Sequence, residues 1–420
     1  MKRLFVLVLI FFLAIAAIVM WNNRSVFPSL PSAPSASDEE SDGNDQAEDD
    51  TMCSAVWVAT AYAIDYPEEP TQSADELKEQ CKTILDEIAA AGIDTVYFQV
   101  RPSCDALYPS ALFPWSRYLT GTCDDAPSDS FDPLKYWLKQ AHKRGLRLEA
   151  WINPYRICAG ANAASDFETL PDSSPAKQHP DWVVSYDGSY YFDPGIPEVR
   201  ALVVNGVQEI VENYRVDGIQ FDDYFYPGTD FDDSDTYTAY GKNQALDDWR
   251  RDNVNELIQD VYQTVHTCAK NKDCVFGVSP SGIWKNGTGG ADGSKTTGFA
   301  HYSECYADSI TWIQNGWVDY LCPQVYWEIG NDAADFQTLA DWWSEQTRDT
   351  NIDLLIGLAG YKIGSSEYGS VWETDGIAEI ARQLTLCQDT KNIAGVALFS
   401  YQNLRNNEDL SKKWTEYFSS

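Results

Sequence analysis

The hydrophobic positions of this chain follow two spacings that alternate from about residue 53 to the end. Short apolar runs are separated by longer segments in which apolar residues recur every three or four positions. The short runs predict strands at Ala55–Ala59, Thr95–Val100, Arg147–Ile152, Gly218–Asp222, Val275–Ser279, Tyr320–Tyr326, Leu354–Leu358 and Gly395–Phe399. Strands that alternate with helices in this way are typical of a parallel sheet.

The segments between these runs predict helices. In Glu76–Ala91, for example, Leu77, Cys81, Ile84 and Ile88 lie at helical spacing. The remaining predicted helices are Pro133–Arg144, Val199–Tyr214, Asn243–Ala269, Ala307–Gln314, Ala334–Arg348, Gly376–Cys387 and Ser411–Phe418. Eight strands with eight helices predict an α/β fold, a (β/α)8 TIM barrel over residues 53–420. The alternative is an open doubly wound sheet, but no glycine-rich phosphate loop follows the first strand.

The first 21 residues are typical of a membrane-targeting segment. Lys2 and Arg3 precede an apolar run of 18 residues, Leu4–Trp21, which is long enough to span a bilayer. The small residues at Ala14–Ala17, where a signal peptidase could cut, lie inside the run, so we favour a signal anchor over a cleaved signal peptide. Either interpretation predicts export: the protein is membrane-anchored and faces outward, or it is secreted if the segment is cleaved.

Residues 22–52 are rich in Ser, Pro, Asp and Glu and predict a disordered, self-repelling linker. The whole chain carries a net charge of −34 with a pI near 4.2. Because nucleic acids and anionic membranes bind clustered Lys and Arg, this charge excludes a nucleic-acid partner. Any membrane contact is expected through the N-terminal segment alone.

Cysteine and histidine do not form a recognisable metal motif. There are ten Cys and four His, without a CxxC pair, so we expect no metal and no cofactor. Export permits disulfides, and the spacing suggests Cys104–Cys123 and Cys268–Cys274. The acidic tract Thr229–Asp235 lacks the full EF-hand pattern, which favours a solvated loop over a calcium site.

The stretch Val216–Pro227 begins as a buried strand and ends in two carboxylates followed by aromatic residues. Alternation along the strand puts Gln220 and Asp222 on the barrel interior, while Ile219 and Phe221 face the helices. On this reasoning Asp223 points away from Asp222 and is its rival for the chemistry. A buried carboxylate must be paired, hydrogen-bonded or protonated, so its position at a strand end points to a function.

The predicted ends of the other strands are also polar or aromatic, where a plain core would need only turns. In a barrel of this kind these ends form the active site. The candidate hydrogen-bonding groups are Arg101, Asn153, Tyr155 and Gln324, and the candidate aromatic walls for a sugar are Trp151, Tyr224, Trp284, Tyr326 and Trp327. No Gly-x-Ser-x-Gly elbow accompanies them, which argues against a serine hydrolase.

Seven motifs in order resemble the glycosyl hydrolase-like 10 family. They are Val56–Thr60 with Asp65–Pro67, Tyr97–Pro102, Ala106–Ser110, Ala150–Arg156, Phe192–Gly195, Gln220–Pro227 and Pro323–Trp327. The resemblance runs from about Ser54 to Tyr401 and implies a TIM-barrel glycosidase of bacterial envelopes. Some relatives are similar to enzymes that cut peptidoglycan strands stripped of their stem peptides. Glu149 departs from the family, because many relatives have a histidine before this Ala-Trp pair.

Most glycosidases use two carboxyl groups, about 5 Å apart for retention and about 6.5–9.5 Å for inversion. We assign Asp222 as nucleophile or water-directing base. Glu328, flanked by Trp327 and Ile329, is the candidate acid, with a pKa expected to be raised by burial. Glu149 is either a third candidate or an interior ion-pair partner of Arg101 or Arg147.

The sequence therefore predicts a glycoside hydrolase that acts on a bacterial cell-wall-type polysaccharide or peptidoglycan glycan. The alternative is a non-catalytic surface protein that binds glycans on the same fold. A deacetylase is a weaker option, because it would require a metal.

Overall fold

Eight parallel strands close into a barrel in the computed structural model, which describes residues 52–418. The barrel strands are β1 Cys53–Val58, β2 Thr95–Arg101, β3 Arg147–Ile152, β7 Gly218–Phe221, β8 Val275–Val278, β9 Tyr320–Leu321, β10 Asp353–Ala359 and β11 Ile393–Phe399. Neighbours pair in chain order and β11 pairs with β1. The predicted (β/α)8 barrel is thus confirmed. The predicted segment 1–21 and all but the last residue of the predicted linker 22–52 lie outside the described residues.

Helices surround the barrel at nearly every predicted position. Their bounds are α1 Ala74–Ala90, α2 Arg117–Thr120, α3 Pro133–Lys143, α4 Ala163–Glu168, α5 Pro175–Gln178, α6 Pro197–Asn213, α7 Ser234–Tyr240, α8 Leu246–Cys268, α9 His301–Glu304, α10 Ser309–Asn315, α11 Phe336–Thr347, α12 Ser370–Asp389, α13 Tyr401–Asn406 and α14 Glu408–Phe418. In α1, Ser73 caps the first turn by accepting from the Glu76 amide, and the predicted apolar stripe is buried. Within residues 52–418 no helix combines the length and the apolar character needed to cross a membrane.

A small antiparallel sheet is inserted after β3 and was not predicted. It consists of β4 Arg156–Cys158, β5 Val183–Tyr186 and β6 Ser189–Phe192 in the order β4-β6-β5. These strands have three or four residues each and are only partly buried, so they lack the apolar runs that identify barrel strands.

Strand β9 is much shorter than predicted. It covers Tyr320–Leu321 instead of extending to Tyr326. Pro323 cannot donate a ladder hydrogen bond, and beyond it Gln324 makes only isolated bridges to Ser281 and Gly357. The residues after β9 therefore form the rim of the barrel.

Both predicted disulfides are wrong, because all ten cysteines are free thiols. Cys104 is buried beside the Ser174 hydroxyl, with Sγ and Oγ 3.9 Å apart. The Cys268 thiol lies 3.5 Å from the hydroxyl of its neighbour Thr267.

Glu149 lies in the barrel interior, where it forms part of the packing. The Tyr320 hydroxyl donates to its carboxylate at 2.6 Å, and Arg147 lies 3.6 Å away as an ion-pair partner. Burial raises the pKa of Glu149 to about 7. Gly218 and Gly277, on β7 and β8, leave space for the side chains of Glu149 and Tyr320. A Cβ at Gly218 would lie 2.6 Å from Glu149, and a Cβ at Gly277 would lie 2.0 Å from Tyr320.

We expect Gly277→Ala to destabilise the barrel, because the added Cβ would lie 2.0 Å from the Tyr320 ring. Overpacking of this kind costs about 1–3 kcal/mol of unfolding free energy, which urea denaturation measures. Gly290→Ala is the control, since its nearest neighbour would be 3.6 Å away. Equal stability of the two variants would contradict the tight interior contact.

Candidate active site

A cavity of about 350 Å³ opens at the C-terminal ends of the barrel strands. Its lining comes from most of the strand ends and from the rim loops. The lining residues are Trp57, Ala59, Ala61, Tyr62, Ile64, Gln99, Trp151, Asn153, Arg156, Asp222, Tyr224, Ser279, Gln324, Tyr326, Tyr361 and Phe399. Polar groups at one side and aromatic rings around them are the composition expected of a ligand pocket.

Asp222 is the carboxylate of this cavity. It follows β7 directly and is 4% exposed. Its Oδ2 accepts hydrogen bonds from the Trp151 indole at 3.2 Å and from the Asn153 amide. Its Oδ1 receives a longer bond, 3.4 Å, from the Tyr224 backbone amide. The side chain is therefore held at one oxygen, and the other oxygen keeps the capacity to accept a shorter bond.

The orientation of Asn153 is set by a relay that starts on the backbone. The amides of Thr60 and Ala61 both donate to Gln99 Oε1, at 2.8 and 2.9 Å. Gln99 must then present its NH2 group to Asn153 Oδ1, at 2.6 Å. Asn153 in turn has only its own NH2 group to offer Asp222. The loop after β1 thus determines which group faces the carboxylate.

Asp223 is not among the residues that line the cavity, but it lies against Gln324, which does, and next to Asp222. Strand β7 ends at Phe221, so the alternation that would separate the two carboxylates does not extend to them. Burial and the charge of Asp223 raise the pKa of Asp222 to about 7. Burial also raises the pKa of Asp223 to about 6, although a hydrogen bond from Gln324 opposes the rise. The two groups can therefore hold and release protons near neutral pH.

Aromatic rings form the apolar part of the cavity. Phe399 lies among Trp57, Trp151, Tyr326 and Tyr361, with ring centroids 6.0, 6.4, 6.5 and 6.2 Å from its own. Flat apolar faces of this kind suit the C–H face of a sugar ring.

The outer rim of the cavity carries two exposed tyrosines and a cation. Tyr62 and Tyr224 are 51% and 52% exposed, and both line the cavity. The Arg156 guanidinium lies 5.5 Å from the Tyr224 ring centre and donates to the Pro102 carbonyl at 2.8 Å. It is the one cationic side chain among the lining residues of the described chain.

The structure brings six of the predicted site residues together in this cavity: Trp151, Asn153, Asp222, Tyr224, Gln324 and Tyr326. The sequence did not identify several other side chains that line the cavity, namely Trp57, Tyr62, Gln99, Arg156, Ser279, Tyr361 and Phe399. All but Tyr62 lie at or just beyond strand ends, so their position could have identified them. Tyr62 follows β1 in a turn with φ of 57°, for which the sequence carries no signal.

The expectation that burial keeps Glu328 protonated is wrong. Burial alone would raise its pKa, but hydrogen bonds from Asn331 at 2.8 Å and from the Trp372 indole at 3.0 Å outweigh it and lower the pKa. The side chain points toward α12 and does not line the cavity. Glu328 is thus a poor proton donor and does not face the cavity that Asp222 lines. Glu149 also lies outside the cavity, in the interior ion pair with Arg147.

Arg101 faces the helices, not the cavity. The pairing of β2 with β3 shifts register between Gln99 and Arg101, as at a β-bulge, and this turns Arg101 to the outer face. Its guanidinium carbon lies 3.6 Å from the Phe113 ring centre and it packs against Gly206 in α6. An unbroken strand would have put Arg101 on the same face as Gln99.

Three aromatic candidates also lie outside the cavity. Tyr155 is fully buried. Trp284 stacks on Trp342, with centroids 5.8 Å apart, and donates to Asp308 at 3.1 Å. Trp327 packs against Gly282. These rings serve the packing of the outer loops.

The acidic tract holds an ion pair. Arg250 donates to both oxygens of Asp233, at 2.6 and 2.8 Å, and both side chains are buried. Within residues 52–418 no group of three or more His, Cys, Asp or Glu side chains is arranged to hold a metal ion.

A model of the glycosyl hydrolase-like 10 family matches residues 52–374. The glycosyl hydrolase YngK of Bacillus subtilis (strain 168) is 40% identical over 368 residues, which cover 86% of this chain and 70% of YngK. The glycosyl hydrolase DigH of Escherichia coli (strain K12) is 38% identical over 362 residues, 82% of each chain.

Solved structures share the fold at low sequence identity. The glycoside hydrolase domain of PgaB (BpsB) from Bordetella bronchiseptica has a TM-score of 0.58 at 13% identity, covering 86% of this chain and 98% of that one. The catalytic domain of a β-amylase from Paenibacillus polymyxa has a TM-score of 0.55 at 13% identity, with 88% and 98% covered. These similarities show the barrel fold alone.

We expect Asp222→Asn to stabilise the protein at alkaline pH. The folded pKa near 7 exceeds the unfolded value near 4, so the wild type loses stability as pH rises through that window. The variant lacks this loss. The unfolding free energy of the variant minus that of the wild type should therefore increase by about 1–4 kcal/mol between pH 4 and pH 8. Denaturation at several pH values measures it. Asp124→Asn, at an exposed loop position, is the control, and a pH-independent difference for Asp222→Asn would contradict the burial argument.

We expect Gln99→Glu to raise the pKa of Asp222 further. A glutamate can still accept from Thr60 and Ala61, but it cannot donate to Asn153, which would turn its NH2 group away from Asp222. Loss of that donor and the added charge should raise the pKa by about one unit or more, measurable by carboxyl NMR titration. Gln314→Glu adds the same charge at an exposed position, and an unchanged pKa in Gln99→Glu would refute the relay.

Proposed function

Because the chain belongs to the glycosyl hydrolase-like 10 family, we propose that it is an exported glycosidase that cleaves a bacterial cell-wall glycan. Within that class, peptidoglycan strands freed of their stem peptides are the substrate that we favour. No cofactor enters the proposal.

The observation that carries this proposal is the carboxylate pair at the barrel mouth. Asp222 and Asp223 have pKa values raised to about 7 and about 6, so one of the pair can hold a proton at neutral pH while the other is charged. Asp222 lines the cavity where the TIM barrel places reacting groups, beside rings that a sugar can stack on, and Asp223 follows it in the chain. A site used for binding alone would have no need of a carboxyl group kept protonated at neutral pH.

Arg156 supports a substrate without stem peptides. Removal of the peptide from a muramic acid residue leaves a free lactyl carboxylate. An arginine fork binds a carboxylate well, and Arg156 is the cation that lines the cavity within the described chain. In a chain with a net charge of −34, a local cation is needed to accept an anionic glycan.

Export follows from the predicted N-terminal segment. Lys2 and Arg3 with the apolar run Leu4–Trp21 suit a signal anchor, and the acidic linker suits a spacer that holds the barrel away from the membrane. The protein would then face the cell wall from outside the membrane, or be released if the segment is cleaved.

The experiment is release of sugars by residues 51–420 from peptide-free glycan strands, from intact sacculi and from unrelated polysaccharides. We expect cleavage of the peptide-free strands, and a loss of turnover of about 10²–10⁴-fold in Asp222→Asn and in Asp223→Asn. Glu328→Gln and the exposed Asp124→Asn should keep turnover within about threefold, because neither side chain lines the cavity or is among the groups that shift the pKa of Asp222.

The alternative, a glycan-binding protein, has a different outcome. Such a protein would bind the strands, retain its affinity in Asp222→Asn and release no sugar from any substrate. A metal-dependent deacetylase is the weaker option. Activity that chelators do not reduce would exclude it.

A further inference from the structure

The carboxylates of the cavity lie on one side of it. Asp222 is the one carboxylate among the lining residues of the described chain, and Asp223 follows it. Asp65 lies close by, but its oxygens accept from the Ala59 and Gln402 amides, each at 2.7 Å, and from the Ser400 hydroxyl at 3.0 Å. It holds the loop after β1 to the end of β11 and is not among the residues that line the cavity.

This arrangement does not suit the usual mechanism with two opposed carboxyl groups. That mechanism places one group on each side of the glycosidic bond. Asp222 and Asp223 are adjacent in the chain, with Cα atoms about 3.8 Å apart, and the charge of Asp223 raises the pKa of Asp222. Across the cavity stand aromatic rings such as Trp57 and Tyr361. The nucleophile must therefore come from elsewhere.

We propose that the nucleophile is the substrate's own 2-acetamido group, with Asp222 orienting that group and Asp223 acting as the general acid. This inference rests on the proposed glycosidase function and adds the chemical class of the sugar that is cleaved. Substrate assistance of this kind is an established exception among glycosidases.

The reaction balances with the groups present. The acetamido carbonyl oxygen attacks C1 as the bond from C1 to the leaving oxygen breaks, and that oxygen takes the proton of Asp223. Asp222 accepts a hydrogen bond from the acetamido N–H, which favours its charged form and leaves the proton of the pair on Asp223. The charged Asp222 then stabilises the positive charge of the resulting oxazolinium ion. Water then attacks C1, gives its proton to Asp223 and restores the acetamido group.

The contacts of the two carboxylates fit these roles. Asp222 is held at Oδ2 by Trp151 and Asn153, so its Oδ1 is presented in a fixed direction with a single long contact at 3.4 Å. A group that orients a ligand needs this rigidity. Asp223 is less buried and is contacted by the side chain of Gln324. A group that exchanges a proton with the leaving oxygen and with water needs this access.

The rings around Phe399 provide a place for the acetamido methyl group. Trp151 both donates to Asp222 and lies 6.4 Å from the Phe399 ring, so the polar and apolar parts of the cavity meet at this one side chain. An acetamido group has the same arrangement, with an N–H on one side and a methyl on the other. A hydroxyl at the 2-position would leave the apolar part unfilled.

The mechanism also specifies the linkage. The acetamido oxygen reaches C1 only from the face opposite the leaving group, so the 2-acetamido group and the cleaved bond must be trans. In gluco-configured sugars this is the β-linkage. Two inversions at C1 give a product with retained configuration.

The test compares peptide-free glycan strands in three forms: native, chemically de-N-acetylated and N-trifluoroacetylated. We expect de-N-acetylation to reduce kcat/KM by at least about 100-fold, since the intramolecular nucleophile is lost. Trifluoroacetylation should also reduce kcat/KM, because the fluorines make the carbonyl oxygen a weaker nucleophile. Equal cleavage of the native and de-N-acetylated strands would overturn this inference while leaving the glycosidase function intact. Absence of cleavage of every glycan would overturn both.

A second measurement separates the role of Asp222 from a structural one. A 1,2-fused thiazoline of N-acetylglucosamine imitates the oxazolinium ion and should inhibit the wild type. Asp222→Asn should weaken its binding at least about tenfold while the folded circular dichroism spectrum is kept, and the exposed Asp124→Asn should bind it as the wild type does. A covalent glycosyl adduct on Asp222, trapped with a 2-fluoro sugar and found by mass spectrometry, would overturn the proposal.

Discussion

The burial of the Asp222 carboxylate is the constraint on which the rest of the site depends. A carboxylate that is 4% exposed is stable in its charged form only if donors reach it, and these donors are Trp151 and Asn153. Asn153 can donate only because Gln99 is held by two backbone amides after β1. The side chain of Asp222 is thus supported by three barrel strands, and the geometry of the mouth is coupled to the closure of the barrel.

Closure itself relies on a second buried carboxylate. Asp65 joins the loop after β1 to the end of β11 through two amides and a hydroxyl, which fixes the backbone that orients Gln99. Deeper in the barrel, Glu149 and Tyr320 fill space that Gly218 and Gly277 leave open. The barrel interior therefore contains one carboxylate with a packing role, Glu149, and the cavity at the strand ends contains another, Asp222, which is the candidate for the chemistry. Their surroundings, and not their residue type, distinguish their roles.

The raised pKa values of Asp222 and Asp223 have a cost in stability and, under the proposed function, a use in chemistry. Burial works against both charged forms, and the charge of Asp223 also works against that of Asp222, so the folded protein is less stable above neutral pH than it would be without them. The same effects hold a proton where a leaving oxygen could take it. Active sites commonly combine local instability with function in this way. The aromatic rings near Phe399 contribute to both, since they exclude water from the carboxylates and offer apolar faces to a ligand.

The sequence by itself determined the fold and half of the site. The apolar runs and the helical spacing were enough to predict the barrel strands and most of the helices, because burial on both faces of a parallel strand leaves a continuous apolar signal. Position at a strand end was enough to identify Asp222, Asn153 and Tyr326. What only the tertiary structure decided was the direction of each side chain. A register shift turns Arg101 outward, and hydrogen bonds from Asn331 and Trp372 keep Glu328 charged and away from the mouth. The register shift depends on pairing with β3, and the Trp372 indole reaches Glu328 from 44 residues away, so no local pattern of residues records these contacts.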